Sequence, residues 1–194
     1  MRINYNGGSF GNKKTWERPF EELFIRFIAE LDEFSFDNGQ NNKAVNSNAL
    51  NCEETADLVY IDPPYFNSNG KHTTYHSKYH FLEGLANYDE IPNKIDFLKK
   101  NRAININKID EFEKAKTFLN DLEHLILKHI NSIIVVSYRN NGKHTINQIT
   151  ELMSKCKPNN HVYSIDLGLY GYALNKSNSS NNEYLIIGTN FAKI

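Results

Sequence analysis

The chain has 194 residues, enough for one domain with a real core, or for one domain and a small appendage. Its 22 basic and 23 acidic residues leave a formal net charge of -1. That balance excludes a polycation that binds nucleic acid through bulk charge, so any such contact has to come from local patches.

In chain order, residues 1–15 are rich in Gly and Lys and poor in apolar side chains, with no signal-peptide core. Residues 17–34 place Phe20, Leu23, Phe24, Phe27, Ile28 and Leu31 at helical spacing, with Pro19 in the first turn. Asparagines crowd 38–51 and recur at 67–69, 140–141 and 175–182, where they mark loops and caps. Residues 57–61, Asp-Leu-Val-Tyr-Ile, are short and apolar on both faces, as in a parallel strand covered by helices on each side. An amphipathic helix is expected over 110–130, a second buried strand over 132–138 (SIIVVSY), and a further helix near 144–156. The stretches HVYSIDLGLYGYAL and EYLIIGTN read as two closing strands of a long hairpin. This order predicts a three-layer α/β sheet. No apolar run approaches the roughly 18 residues of a membrane span. Cys52 and Cys156 have no metal-binding spacing, and a reduced, cytoplasmic protein is expected.

The informative residues follow the first buried strand: Asp62, Pro63, Pro64 and Tyr65. Ligands of open α/β sheets bind beyond the carboxyl ends of the strands. A carboxylate fixed there by two prolines, with an aromatic ring next to it, is a rigid site with one polar and one flat element. Pro-Pro alone reads as a strand-ending turn. After Leu58-Val59-Tyr60-Ile61, the apolar pattern, the place in the sheet and the chemistry agree on a ligand site.

With these residues the sequence resembles the Dam-like class of DNA adenine N6-methyltransferases that use S-adenosylmethionine. The likeness rests on Asp62-Pro63-Pro64-Tyr65 and on RPFEELF at 18–24, NKAVNSNAL at 42–50, TTYHSKYHFLEGL at 73–85, IIVVSY at 133–138 and EYLIIGTN at 183–190. It implies a Rossmann-like methyltransferase sheet with the tetrapeptide as the catalytic element. Asp62 would accept one N–H of the adenine amine and the Pro63 carbonyl the other, freeing the nitrogen lone pair for the sulfonium methyl. Tyr65 would stack on a base flipped out of the duplex, because the target atom cannot be reached inside the stack. On that reading the ring matters and the hydroxyl does not. Phe81, with Asp62, falls where the family places residues near the cofactor. No covalent nucleophile is needed, in contrast to methylation at carbon 5 of cytosine; cytosine N4 remains a second substrate for the tetrapeptide.

In this class a Gly-rich cofactor loop precedes the catalytic strand by more than the 61 residues available before Asp62. Gly7-Gly8-Ser9-Phe10-Gly11 is either that loop or part of the tail of a target-recognition region. The second reading suits the sequence better, because Arg2-Ile3-Asn4-Tyr5 makes a poor central strand. Residues 1–45 are then the recognition tail plus a helix, and 46–194 the catalytic core, an incomplete, C-terminal half. A second polypeptide or self-association is expected to supply the cofactor-binding half and to cover an open edge beside residues 58–61.

The loop after the catalytic strand interleaves Lys71, Tyr75 and Lys78 with His72, His76 and His80. It reads as a segment closing over backbone phosphates and the flipped nucleotide more readily than as a metal site, and no metal is expected. Arg139 and Asn140, at the end of the second strand, are further candidates for DNA contact, and Lys13, Lys14 and Arg18 form a candidate phosphate patch. Two functions follow. One is methylation of adenine in DNA, of the restriction–modification kind; the other is a non-catalytic or partner-dependent remnant that binds DNA but not cofactor on its own.

Overall fold

A computed structural model describes residues 18–71, 79–100, 102–104, 114–158, 161–169 and 181–189. The chain divides after Asn46 into two units.

In the first unit, helix α1 (Phe20–Phe34) starts immediately after Pro19, whose extended backbone stands at the cap position, just outside the first turn where the sequence suggested it. Glu21 and Glu22 lie near the positive end of the helix dipole. Arg18–Glu22 at 3.1 Å and Arg26–Glu30 at 3.3 Å are i,i+4 pairs along its surface. Arg18, a candidate for a phosphate patch, is therefore engaged with Glu22; Lys13 and Lys14 lie outside the described residues. No residue of α1 is buried, and Phe20, Phe24, Phe27, Ile28 and Leu31 make an exposed apolar face.

The second unit is mixed α/β. Strands β1 (Leu58–Ile61), β2 (Ile133–Arg139), β3 (His161–Leu169) and β4 (Asn182–Thr189) form one sheet in the order β1-β2-β4-β3. β1 runs parallel to β2, with Ile61 opposite Val136; β4 is antiparallel to both β2 and β3. The closing hairpin is thus as expected. Between β1 and β2 come α2 (His80–Ala86), a 3-10 turn (Tyr88–Glu90), α3 (Ile91–Lys94) and α4 (Phe118–Lys128); α5 (Ile146–Cys156) follows β2.

Periodicity explains which faces meet. Phe118, Leu122, Leu125 and Ile126 line one side of α4, and Ile149, Met153 and Cys156 one side of α5; all are buried. They pack on Ile61, Ile134, Val136, Tyr138 and Ile186, which share one face of the sheet through the strand register. α5 starts with a capping box: Thr145 Oγ1 accepts the Gln148 N–H at 3.1 Å, and Gln148 Oε1 accepts the Thr145 N–H at 2.9 Å. Just past its end, Lys157 is 1% exposed and donates to the carbonyls of Ile130 at 2.8 Å and Ser132 at 2.6 Å. This pins the end of α5 to the start of β2.

Three expectations need correction. α4 begins at Phe118 and not at 110, because residues 115–117 form a turn in which the Lys114 carbonyl accepts the Thr117 and Phe118 N–H groups; residues 105–113 lie outside the described residues. β2 begins at Ile133, because the Ser132 backbone is engaged elsewhere: its N–H donates to the His129 carbonyl at 2.9 Å and its carbonyl accepts Lys157 Nζ at 2.6 Å. The three-layer sheet is not met among the described residues. Helices α4 and α5 cover one face, whereas on the other Leu58 is 52%, Tyr60 56% and Ile165 41% exposed. β1 is an edge strand of the described sheet, in line with the open edge expected beside residues 58–61. Among the described residues no helix is long and apolar enough to cross a membrane.

Candidate active site

β1 stops at Asp62 for a local reason: Pro63 and Pro64 have no N–H to offer a ladder. Asp62 is exposed, Pro63 is buried, and Pro64 and Tyr65 are half-buried. Phe66 anchors the segment. Its ring is fully buried, edge-on to Phe118 at 5.5 Å and to His144 at 6.1 Å. Its carbonyl accepts the Lys143 N–H at 3.1 Å, which joins the loop after β1 to the loop after β2.

The next residues fold back on themselves. The Asn67 side chain accepts the N–H groups of Asn69 at 3.1 Å and Lys71 at 2.9 Å, and its own N–H donates to the Lys71 carbonyl at 2.7 Å. Gly70 sits at φ 72, where a side chain is strained. The tetrapeptide is therefore held between a buried ring and a closed turn, with the Asp62 carboxylate facing solvent.

Tyr65 is tied to the sheet. Its hydroxyl lies 2.7 Å from Ser137 Oγ, and Ser137 in turn donates to Glu183 Oε1 at 2.7 Å. Either hydroxyl can donate across the Tyr65–Ser137 contact, and when the Ser137 proton is on Glu183 the phenol is the donor. A longer 3.3 Å approach links the phenol to Glu183 directly. Burial raises the Tyr65 hydroxyl far above its ordinary pKa, opposed by the bond to Ser137 and helped by the Asp62 and Glu183 carboxylates. It remains a proton donor at any working pH. The ring meets Tyr138 edge-on at 5.3 Å. The sequence assigns the hydroxyl no part; in the structure it contacts Ser137 and Glu183, and the ring packs against Tyr138.

Arg139 closes β2 opposite Glu183 in the register, and its Nε is buried without a hydrogen-bond partner among the described residues. Asn140 is exposed; its side-chain oxygen accepts the Asn182 N–H at 3.1 Å, and its own N–H donates to the Asn182 carbonyl at 3.0 Å. It shapes the turn that carries Arg139. Asn182 reaches on to Asp166 with bonds of 3.1 and 2.9 Å, which hold that carboxyl below its ordinary value.

The other candidates lie further along. Lys71 is exposed at the end of the turn. Tyr75, Lys78, His72, His76 and Gly7 to Gly11 lie outside the described residues. Phe81 is 73% exposed on α2 and borders an apolar cavity of about 250 Å³ with Leu85, Tyr88, Ile95 and Arg102. Among the described residues no group of three His, Cys, Asp or Glu can hold a metal. Ser137 and Glu183 escaped the sequence reading. Their signal was a single hydroxyl inside the apolar run Ile-Ile-Val-Val-Ser-Tyr and a single carboxylate at the head of Glu-Tyr-Leu-Ile-Ile.

Comparison with known proteins bears on the same segment. The chain is similar to modification methylases. Over 159 residues, 79% of its length, it is 35% identical to the modification methylase StsI of Streptococcus sanguinis. Over 142 residues, 72% of its length, it is 31% identical to the modification methylase LlaI of Lactococcus lactis subsp. lactis. The chain spans about a fifth of these curated relatives, 22% and 21% of their lengths. No protein-family model and no solved structure matches it.

Proposed function

We propose that this chain carries the catalytic centre of a DNA methyltransferase that moves a methyl group from S-adenosylmethionine to adenine N6. The observation that supports this best is an exposed carboxylate, Asp62, presented at the carboxyl end of β1 beside a Tyr65 ring held by its hydroxyl and packed against Tyr138. The likeness to two modification methylases supports the same reading and suggests a restriction–modification role. The proposed fold is the catalytic half of a Rossmann-like methyltransferase, residues 46–194, preceded over 1–45 by the tail of a target-recognition region. A cytoplasmic location accords with a DNA substrate.

The cofactor agrees with the residues in charge: a sulfonium is a cation, and Asp62 offers it an exposed carboxylate. Asp62 and Phe81 are the residues proposed to hold it. When bound, it supplies an electrophilic methyl group. The flipped adenine rests on the Tyr65 ring. Its amine donates one N–H to the Asp62 carboxylate and the other to the Pro63 carbonyl, which the proline ring holds in one direction. Two acceptors draw the nitrogen toward a pyramidal shape, so its lone pair leaves the ring conjugation and lines up with the methyl. After transfer the nitrogen sheds one proton to Asp62, whose exposure lets it pass that proton to water.

DNA is the proposed partner. Arg139 closes β2 beside the catalytic loop, and its guanidinium suits a phosphate oxygen. Lys71, with Tyr75 and Lys78 in the same segment, would close over the strand, and Asn140 would hold the Arg139 turn in place.

The decisive experiment incubates the full chain with DNA and labelled cofactor, digests the DNA to nucleosides and identifies the labelled base. N6-methyladenine supports the reading, and N4-methylcytosine would replace adenine by cytosine. A second reading is favoured by β1, an edge strand of the described sheet with two exposed apolar side chains. On it the chain is partner-dependent, binding DNA alone but taking up cofactor only with a second polypeptide or a second copy. Methyl transfer by the isolated chain as a monomer would exclude that.

A further inference from the structure

We propose that Ser137 and Glu183 are positioning residues for methyl transfer: through the Tyr65 hydroxyl they fix the plane of the ring that receives the target base. The inference rests on the function proposed above and adds two residues that neither the tetrapeptide nor its strand contains.

The geometry has three parts. The first is a chain of polar contacts, with the Tyr65 phenol oxygen 2.7 Å from Ser137 Oγ, the Ser137 hydroxyl donating to Glu183 Oε1 at 2.7 Å, and the phenol 3.3 Å from the same Glu183 oxygen. The second is burial. Ser137 is fully buried within β2, and a hydroxyl in that setting is costly unless both its proton and its lone pairs are used. Here the proton goes to Glu183 and a lone pair to Tyr65. The third is the neighbouring ring of Tyr138, fully buried, which stands at 66° to the Tyr65 ring with their centroids 5.3 Å apart. A ring held by its hydroxyl and packed against a fully buried ring cannot turn freely, so its face is already oriented before a base arrives. Preorganisation of this kind acts on the reaction more than on DNA affinity, because phosphate contacts supply most of the latter.

The residues come from three remote places in the chain. Tyr65 follows β1, Ser137 lies in β2, and Glu183 begins the antiparallel β4. The sheet order β1-β2-β4 brings them together, with Glu183 diagonal to Ser137 across the β2–β4 ladder. Glu183 also faces Arg139 across the ladder, so a substitution there has to be judged beside one that keeps the acceptor.

The test has two arms on the full chain. In the first, tyrosines are replaced by fluorotyrosine, and the Tyr65 resonance is identified by its loss in Tyr65→Phe. Ser137→Ala and Glu183→Leu are expected to shift and sharpen that resonance as the ring is released. Glu183→Gln keeps an acceptor for Ser137 and is expected to leave it near its original place. A resonance unmoved in both Ser137→Ala and Glu183→Leu would overturn the clamp, whatever the enzyme does.

In the second arm, methyl transfer to unmethylated DNA is followed by steady-state kinetics. Tyr65→Phe, Ser137→Ala and Glu183→Leu are each expected to lower kcat about tenfold or more with KM for DNA within about twofold, and Glu183→Gln to recover most of the loss. Unchanged kcat, or a loss confined to KM, would overturn the positioning role. If the unaltered chain transfers no methyl while the fluorine signature holds, the reading of this chain as a methyltransferase sufficient by itself falls and the clamp's part in that reaction falls too, whereas the anchored ring stands as structure. The two failures are thus told apart.

Discussion

The Lys143 N–H donates to the Phe66 carbonyl at 3.1 Å, so the loops leaving the two parallel strands are one piece of structure. Whatever Asp62 and Tyr65 do, they do from a platform shared with the loop after β2. Gly142 is the narrow point of that platform. A Cβ there would stand 3.0 Å from the Phe66 carbonyl oxygen and 3.0 Å from the Tyr138 ring. Backbone and a fully buried ring have little room to give. Gly142→Ala is therefore expected to destabilise the fold by about 1–3 kcal/mol, the usual cost of overpacking. Urea unfolding measures it, and an unchanged midpoint would show that the two loops yield independently.

Asp62→Ala is expected to lower methyl transfer at least about a hundredfold, ~2.7 kcal/mol of barrier, while DNA binding at fixed salt changes little. Asp62 is exposed and outside the packed core, so the fold should survive the change. Labelled methyl incorporation beside a binding isotherm reads both quantities. Activity within about tenfold of the original would remove Asp62 from the chemistry.

His144 gives the site a pH dependence. It lies flat on Phe118 at 4.8 Å, touches the Phe66 ring edge-on, and its Nε2 bonds the Ala115 carbonyl at 3.1 Å. Burial, aided by the nearby Lys143 charge and opposed by the Ala115 carbonyl, lowers its pKa from 6.5. The unfolded chain then binds more protons than the folded one below the ordinary value. Stability is expected to be full above about pH 6.5 and to fall as pH drops through the window down to the lowered folded value. His129, lowered for the same reason of burial, adds to the slope. Urea midpoints between neutral and mildly acidic pH should therefore fall in the unaltered chain and less steeply in His144→Gln. Equal slopes would place the acid sensitivity elsewhere.

How much of this was legible depends on the range of the interaction. β2 announces itself as Ile-Ile-Val-Val, because an interior strand buried over consecutive residues is apolar on both faces. α5 is legible from its three apolar positions at helical spacing. The tetrapeptide is legible because two prolines can end a strand but cannot sit inside it. The clamp was not legible. Tyr65 and Ser137 are 72 residues apart, and Ser137 and Glu183 a further 46, and no periodicity links a lone serine to a lone glutamate across a sheet. β1 misled in the opposite sense. Leu58 and Tyr60 are apolar as in an interior strand, yet they are exposed on the face that α4 and α5 leave bare.

That bare edge carries the last prediction. β1 offers one side to β2 and, among the described residues, nothing to the other, with Leu58 and Tyr60 exposed beside it. An apolar edge strand pairs readily with another chain, and natural edges avoid this with charge, most often lysine. The isolated chain is therefore expected to self-associate in solution and to bind S-adenosylmethionine weakly. Tyr60→Lys should shift its mass toward the monomer without lowering its urea midpoint, because the side chain points away from the core. Light scattering gives the mass, and calorimetric titration of the cofactor gives the affinity. A monomer that binds the cofactor at micromolar concentration would mean that this chain completes its own site, and the partner-dependent reading would be abandoned.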